Sequence, residues 1–262
     1  MGRGLKNQLG KILPKLCYFF IFLCVWHAIV EIFSIKVFIL PSPIRVFRLI
    51  FDPAVAVKYH WSRHIGATLA EVGLGFLVSV VIGFGLGIII AWSKVLSRLL
   101  MPIISMFNSL PKVALAPMCL LWLGYGLKTN IFIGVLVAFF PLVINSVTGL
   151  NAVEDDLLDL VKYLHASKVQ VFVKIRIPNS LPYVFAGLKI SATMCVMGAI
   201  VGEFIASEKG LGFMIREAQA FVDTPTMFAC LILLSVMGFL FFSLIQFAEG
   251  ICLSWNKERS NA

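Results

Sequence analysis

Residues Asn151 to Pro178 read NAVEDDLLDLVKYLHASKVQVFVKIRIP, the longest polar interval between apolar segments beyond the first 70 residues. Two short helices are expected in it. Asn151 with Glu154, and Ser167 with Gln170, have the spacing at which paired side chains satisfy the unpaired donors of a helix start. Glu154, Asp155 and Asp156 fall in the first turn, where the helix dipole favours negative charge. Val153, Leu157, Leu160, Val161 and Leu164 recur at helical spacing as one apolar stripe. Such a stripe fits either a surface that docks on another protein or a helix lying in the membrane interface.

Around this interval the chain reads as membrane. Of its 262 residues 60% are hydrophobic and 13% charged, with a mean hydropathy of +0.97, which excludes a soluble domain. The apolar runs are continuous rather than alternating, so helices that satisfy their own backbone in lipid are expected and a barrel is not. The fold class is therefore an all-α polytopic membrane protein with about six transmembrane helices, near Leu16 to Phe33, Thr68 to Trp92, Leu100 to Leu123, Asn130 to Leu150, Leu181 to Ile205 and Phe228 to Gly250. Residues 1–15 form a basic tail, 16–250 one membrane domain, and 251–262 a second tail.

Cys17, Cys24, Cys119, Cys195, Cys230 and Cys252 lie in or at the ends of apolar runs without a CxxC pair and read as small buried hydrophobes. The net charge of +9 is spread among loops with no basic stripe, so nucleic acid is set aside as a partner. Placing both termini in the cytoplasm puts the basic tail (Arg3, Lys6, Lys11, Lys15) and the 151–178 loop inside, and leaves Lys36, Arg45, Arg48, Lys58 and Arg63 in the first outer interval. The tail and the run after it have the outline of a signal peptide, but no small-residue cleavage site follows Phe33, so the run is read as a first helix.

Pro41 and Pro43 forbid that helix from continuing. His60 and His64 have the i, i+4 spacing of a metal pair, but no intervening Glu and no third ligand accompany them, so a polar interfacial face is expected and no metal. Gly83 and Gly87 form a GxxxG that lets another helix approach closely. Glu71 is expected to reach up to the interface. Pro111 and Pro117 interrupt a membrane-length run with Lys112 beside the first, which makes Pro111, Lys112 and Pro117 candidates for a pathway wall, or else a proline kink whose lysine snorkels to the headgroups. Lys189 is expected to snorkel, and Glu203 to stand at the outer mouth of the pathway. No Walker-type GxxxxGK[ST] occurs, and nothing calls for a cofactor.

Taken together these pieces resemble the permeases of ATP-binding-cassette importers. The cytoplasmic motif of that family, Glu-Ala-Ala, three residues, Gly, nine residues, Ile-x-Leu-Pro, stands here with its spacing kept as Asp159-Leu160-Val161, His165 and Ile175-Arg176-Ile177-Pro178. LPSP at Leu40 to Pro43, LPKVALAPMCLLWLGYG at Leu110 to Gly126, LPYVFAGLKISA at Leu181 to Ala192 and VGEFIASEKGLGFMI at Val201 to Ile215 are similar to its nitrate, sulfonate, taurine and pyrimidine-precursor branch. The resemblance implies a dimer of permeases in a bacterial inner membrane, a pair of cytoplasmic ATPase subunits, an extracytoplasmic binding protein that delivers a small-molecule solute, and a coupling helix in the central loop that inserts into the ATPase. The departures are Asp159 for Glu, Leu160 and Val161 for Ala-Ala, and His165 for Gly.

With no nucleotide site of its own, the chain would receive energy through the 151–178 loop, and catalysis is not expected of it. A secondary transporter is the alternative, but it needs deeply placed acids or broken half-helices at the midplane. An intramembrane enzyme would need an HExxH, a pair of aspartates at the midplane or a Ser-His arrangement within one leaflet, and none of these is found. The solute stays open, with VGEFIASEKGLG at Val201 to Gly212 closer to permeases for vitamin or pyrimidine precursors than to those for sulfonates. His165 falls where a helix ends in a left-handed residue, a place that favours Gly and that His tolerates better than most side chains.

Overall fold

The computed structural model describes residues 2–253, with side chains from Cys17 onward and that of Pro14; the basic side chains expected in the N-terminal tail, and the last nine residues, lie outside this description. The described residues form helices and turns only. In order these are α1 (Gly2–Ile32), α2 (Pro43–Phe51), α3 (Pro53–Lys58), α4 (Trp61–Trp92), α5 (Lys94–Asn108), a 3₁₀ turn (Lys112–Leu115), α6 (Ala116–Leu123), α7 (Leu127–Asn151), α8 (Asp155–Tyr163), α9 (Lys168–Val171), a π-helical turn (Phe172–Arg176), α10 (Ile177–Ala206), α11 (Leu211–Ala220) and α12 (Thr224–Cys252).

Four helical runs among the described residues are long and apolar enough to cross a membrane: Trp61–Trp92, Leu127–Asn151, Lys168–Ala206 and Thr224–Cys252. The third expected span is two helices, α5 and the 112–123 run, bent by 76°. Pro111 cannot continue α5. Lys112 then folds back, its Nζ donating to Asn108 O at 2.7 Å and Asn108 Oδ1 at 2.9 Å, and so satisfies a carbonyl near the helix end. The first expected span lies in α1, whose apolar stretch among the residues with described side chains is Cys17–Ile32.

The chain divides into two compact units. The first comprises residues up to 62 together with 214–232. In it Trp26 lies against Phe228 with ring centroids 5.8 Å apart, Tyr59 donates its hydroxyl to Asp223 at 3.2 Å, and Thr224 donates to Phe38 O at 2.7 Å. His60 has φ +49 and precedes α4, so His60 and His64 do not share a helix face. Among the described residues no cluster could hold a metal.

The second unit, residues 63–213 and 233 onward, is built on α7. Ile133, Ala138, Leu142, Val143 and Leu150 on α7 have no exposed surface. Close packing here needs small residues, because lipid offers no hydrophobic drive for helices to associate. A Cβ on Gly198 of α10 would stand 2.7 Å from Gly134 Cα, and one on Gly187 2.9 Å from Asn145 Cβ, so α7 and α10 meet nearly backbone to backbone. On α4, a Cβ at Gly83 would stand 3.1 Å from Leu142 Cδ2 and one at Gly87 2.6 Å from Ser146 Cβ. Ser191 adds a cross-helix hydrogen bond to Ala138 O at 2.7 Å. Outward-facing side chains such as Leu77, Val81, Phe239 and Phe247 are large, apolar and exposed, as lipid-facing positions must be.

Lys189 does not snorkel. It pairs with Glu249 of α12 at 2.8 Å, beside the apolar cluster Phe185, Ala192 and Ile245. Both side chains are mostly covered, so removing one partner strands the other charge. Glu249→Leu should therefore destabilise the detergent-solubilised protein by about 1–2 kcal/mol, and Lys189→Met added to it should restore most of the loss. Equal thermal midpoints for the single variant and wild type would show that the pair holds nothing.

Candidate functional site

The 151–178 interval is built from the end of α7, through α8 and α9, into α10. Its first expected cap is not formed. α7 runs through Asn151, whose side chain donates to Ser97 Oγ at 3.3 Å and accepts from Arg176, and Glu154 takes the N-cap place with no side-chain cap. Asp155 and Asp156 occupy the first turn of α8. The second cap is complete, with Gln170 N–H donating to Ser167 Oγ at 3.2 Å and Ser167 N–H to Gln170 Oε1 at 2.8 Å.

His165 joins the two helices in the left-handed region, at φ +56. Its N–H donates to Lys162 O at 3.0 Å and that of Ala166 to Val161 O at 3.0 Å, the pair of bonds by which a helix end satisfies its carbonyls around a left-handed residue. This turn fixes the angle at which α8 leaves α9. On α8 the stripe is split. Val153 ahead of it is buried and Leu158 half-buried, while Leu157, Asp159, Leu160 and Leu164 are exposed, Leu160 at 55% and Leu164 at 66%.

Beyond α9, Ile175 lies in the π turn and Pro178 in the first turn of α10. Pro178 has no N–H to give and its ring crowds the carbonyl four residues back, so the ladder slips to i→i−5, as in Ile177 N–H to Phe172 O. The helical run nevertheless continues unbroken from Lys168 to Ala206.

That end holds a polar cluster. Glu203, expected at the outer mouth of the pathway, has no exposed surface. Its Oε1 accepts from Thr68 Oγ1 at 2.6 Å and its Oε2 from Gly212 N–H at 2.6 Å, so the carboxylate closes the first turn of α11. Leu211 N–H donates to Thr68 Oγ1 at 2.9 Å, and Gly210 N–H to His64 Nδ1 at 3.0 Å. Glu71, expected at the interface, is 1% exposed and accepts from Asn130 Nδ2 at 3.0 Å. Three long helices and the 207–212 turn are tied here through buried groups. The sequence reading gave Asn130 and Thr68 no role; the signal was a polar residue at the start of each of two apolar runs.

Of the pathway candidates, Pro111 and Pro117 are exposed at the α5–α6 break, whereas Lys112 is half-buried, held by Asn108 and 5.1 Å over the Phe140 ring. The structure brings Pro111, Lys112 and Pro117 together, and places Glu203 in the separate cluster above.

Residues 83–249 match the family described as binding-protein-dependent transport system inner membrane component. The chain is 31% identical to the formylaminopyrimidine transport permease protein ThiX of Halalkalibacterium halodurans, over 97% of this chain and all of that one. It is 30% identical to the riboflavin transport system permease protein RibX of Chloroflexus aurantiacus, over 88% of this chain and 85% of that one, and 28% identical to the putative aliphatic sulfonates transport permease protein SsuC of Bacillus subtilis, over 94% and 87%. In fold it is similar to a chain of the MetNI methionine ABC transporter solved in inward-facing form, with a TM-score of 0.61 at 21% identity, covering 73% of this chain and 94% of that one. A bundle of apolar helices carrying the spaced motif from Asp159 to Pro178, matched along nearly its whole length by such permeases, belongs to the binding-protein-dependent inner membrane component family and is the permease subunit of an ABC importer.

Proposed function

We propose that this permease takes up an uncharged nitrogen heterocycle of the vitamin-precursor kind, driven by a separate ATPase that grips the exposed face of α8. The observation that carries the coupling reading is that face: Leu157 and Leu160 on α8 and Leu164 at its end are exposed, just before the chain turns at His165 into α9, which runs on into α10. Asp159, Leu160, Val161, His165, Ile175 and Pro178 are its coupling residues. The complex is a pair of ATPase subunits, a second copy of this chain, and an extracytoplasmic binding protein. ATP hydrolysis belongs to the ATPase, and this chain has no catalytic role. The protein sits in a bacterial inner membrane with both termini in the cytoplasm, as one membrane domain between two short tails.

The solute class rests on two supports. ThiX and RibX carry heterocycles by name. Lys112 and Lys189, the two cations inside the spans expected from sequence, are engaged by Asn108 and by Glu249, so neither stands ready for a sulfonate. The wall of the pathway is the break around Pro111 and Pro117. Complex reconstituted with its binding protein should accumulate radiolabelled formylaminopyrimidine and not taurine; the opposite preference overturns the solute reading.

Leu160→Asp removes half-exposed apolar surface that the ATPase would cover and should lower uptake about five-fold, on the order of 1 kcal/mol of docking, without changing permease stability. Unchanged uptake would remove α8 from the interface. Topology is checked with a thiol reagent that cannot cross membranes, in a cysteine-free background. Ser167→Cys should escape labelling in intact cells and Glu208→Cys should be labelled; Glu208 is exposed whereas its neighbour Ser207 is buried and unsuited to the test. The reverse pattern inverts the orientation.

A further inference from the structure

Beside the 151–178 loop lies a cleft of about 730 Å³, within the size range of small-ligand sites. It is walled by the turn from α4 to α5 and by α8, α9 and the π turn. Lys94, Lys162, Lys168 and Arg176 line it, and no acidic side chain does. Among the described residues no carboxylate pairs with any of the four, the salt bridge Lys189–Glu249 being elsewhere. Arg176 is steadied at 3.5 Å from Ala91 O and 3.4 Å from Asn151 Oδ1. Four cations gathered on one cavity repel one another, an arrangement that becomes favourable when an anion sits between them.

The surroundings say which kind of anion. Trp92, last residue of the apolar helix α4, is exposed at the cleft and lies 4.9 Å from the Phe172 ring; a tryptophan at a span end marks headgroup depth. Next to Lys94, Val95 and Leu99 lie four residues apart on α5, both exposed and apolar, and offer an acyl chain a track away from the cations. A soluble phosphate has no use for that track. We propose that this cleft is a binding site for the phosphate headgroup of an anionic phospholipid of the phosphatidylglycerol kind, held by Lys94, Lys162, Lys168 and Arg176 and packed at its glycerol end against Trp92. A basic recess between membrane helices is the kind of place where such headgroups bind. Since Lys162 and Lys168 belong to the α8–α9 loop and Lys94 to α5, a bound headgroup clamps the loop to the membrane helices. The site rests on the chain spanning a membrane and is independent of which solute it carries.

The test uses the detergent-purified complex of permease and ATPase, stripped of lipid and examined by native mass spectrometry with dioleoylphosphatidylglycerol or dioleoylphosphatidylcholine added. Phosphatidylglycerol should be retained and phosphatidylcholine lost. Lys94→Gln should weaken retention about five-fold, and Lys94→Gln with Lys162→Gln about 25-fold. Lys94→Arg should keep it. Arg98→Gln removes the same charge from α5 outside the cleft and should leave retention as in wild type. Equal retention of the two lipids, or equal loss in Lys94→Gln and Arg98→Gln, overturns the proposal. Displacement of the lipid by millimolar inorganic phosphate would make the cleft a soluble-anion site instead. Lipid held by the permease alone but absent from the assembled complex would assign the cleft to the ATPase interface. Either result overturns the lipid assignment.

Discussion

Gly210→Ala is expected to cost the permease its folded form in detergent, lowering the thermal midpoint by about 10 °C or abolishing the monodisperse protein, for a loss on the order of 3–5 kcal/mol. Two effects coincide at this position. Gly210 has φ +112, a conformation an L side chain rarely enters. A Cβ there would also overlap the Glu203 carboxyl, which the 207–212 turn wraps. The carboxyl cannot retreat without leaving Thr68 Oγ1 and Gly212 N–H, both buried with it. Glu203→Ala in the Gly210→Ala background separates the two. It removes the overlap but not the backbone strain, so it should recover part of the midpoint although Glu203→Ala alone lowers it. Gly85→Ala, where a Cβ meets nothing within 4 Å, is the control and should behave as wild type. A Gly210→Ala protein as stable as wild type would show that the turn does not depend on the buried carboxylate.

How far the sequence foretold this arrangement depends on what each residue type exposes of its surroundings. The long spans were legible because about twenty apolar residues in succession leave the backbone little choice but a helix in lipid. The interruption of the third was legible too, since Pro111 and Pro117 cannot donate; the return of Lys112 onto Asn108 was not, because a lysine stem reaches several places and sequence does not choose among them. Glu71 and Glu203 were misplaced for a related reason. A carboxylate near a span end is cheaply placed at the interface unless a buried donor awaits it, and the donors here come from far along the chain, Asn130 for Glu71 and Thr68 for Glu203. The 151–178 loop shows both outcomes at short range. Ser167 and Gln170 are caps that depend only on their own four residues, and they form. Asn151 has the same spacing to Glu154, but it is still inside α7 and spends its side chain on Ser97 and Arg176, a tertiary choice that local spacing does not register. The basic cleft lay in plain sight as four separate cations, spread from Lys94 to Arg176, and only the fold shows that they share a wall.

Replacing His165 separates a requirement for backbone conformation from a requirement for the imidazole. At φ +56, with the N–H groups of His165 and Ala166 both committed to carbonyls of α8, the position demands a left-handed residue. Glycine enters that region freely, so His165→Gly should keep or raise ATPase-coupled uptake, the gain being about 1 kcal/mol of released strain. His165→Val should lose it. A β-branched side chain resists positive φ by about 2 kcal/mol, and the turn relieves the strain by opening. Leu157, Leu160 and Leu164 would then meet the ATPase at another angle, with coupled uptake falling on the order of 30-fold. Because His165 is exposed, the thermal midpoint of the isolated permease should move little in either variant. Solute uptake and binding-protein-stimulated ATPase activity, measured in the same reconstituted complex, decide between the two requirements. A valine variant as active as wild type beside an inactive glycine variant would mean that the imidazole itself makes a contact in the complex, and the turn would then be incidental. With the opposite order, the backbone carries the requirement: His165 does the work that a glycine does elsewhere in the family, and the spacing from Asp159 to Pro178 is kept because it sets where α8 ends and α10 begins.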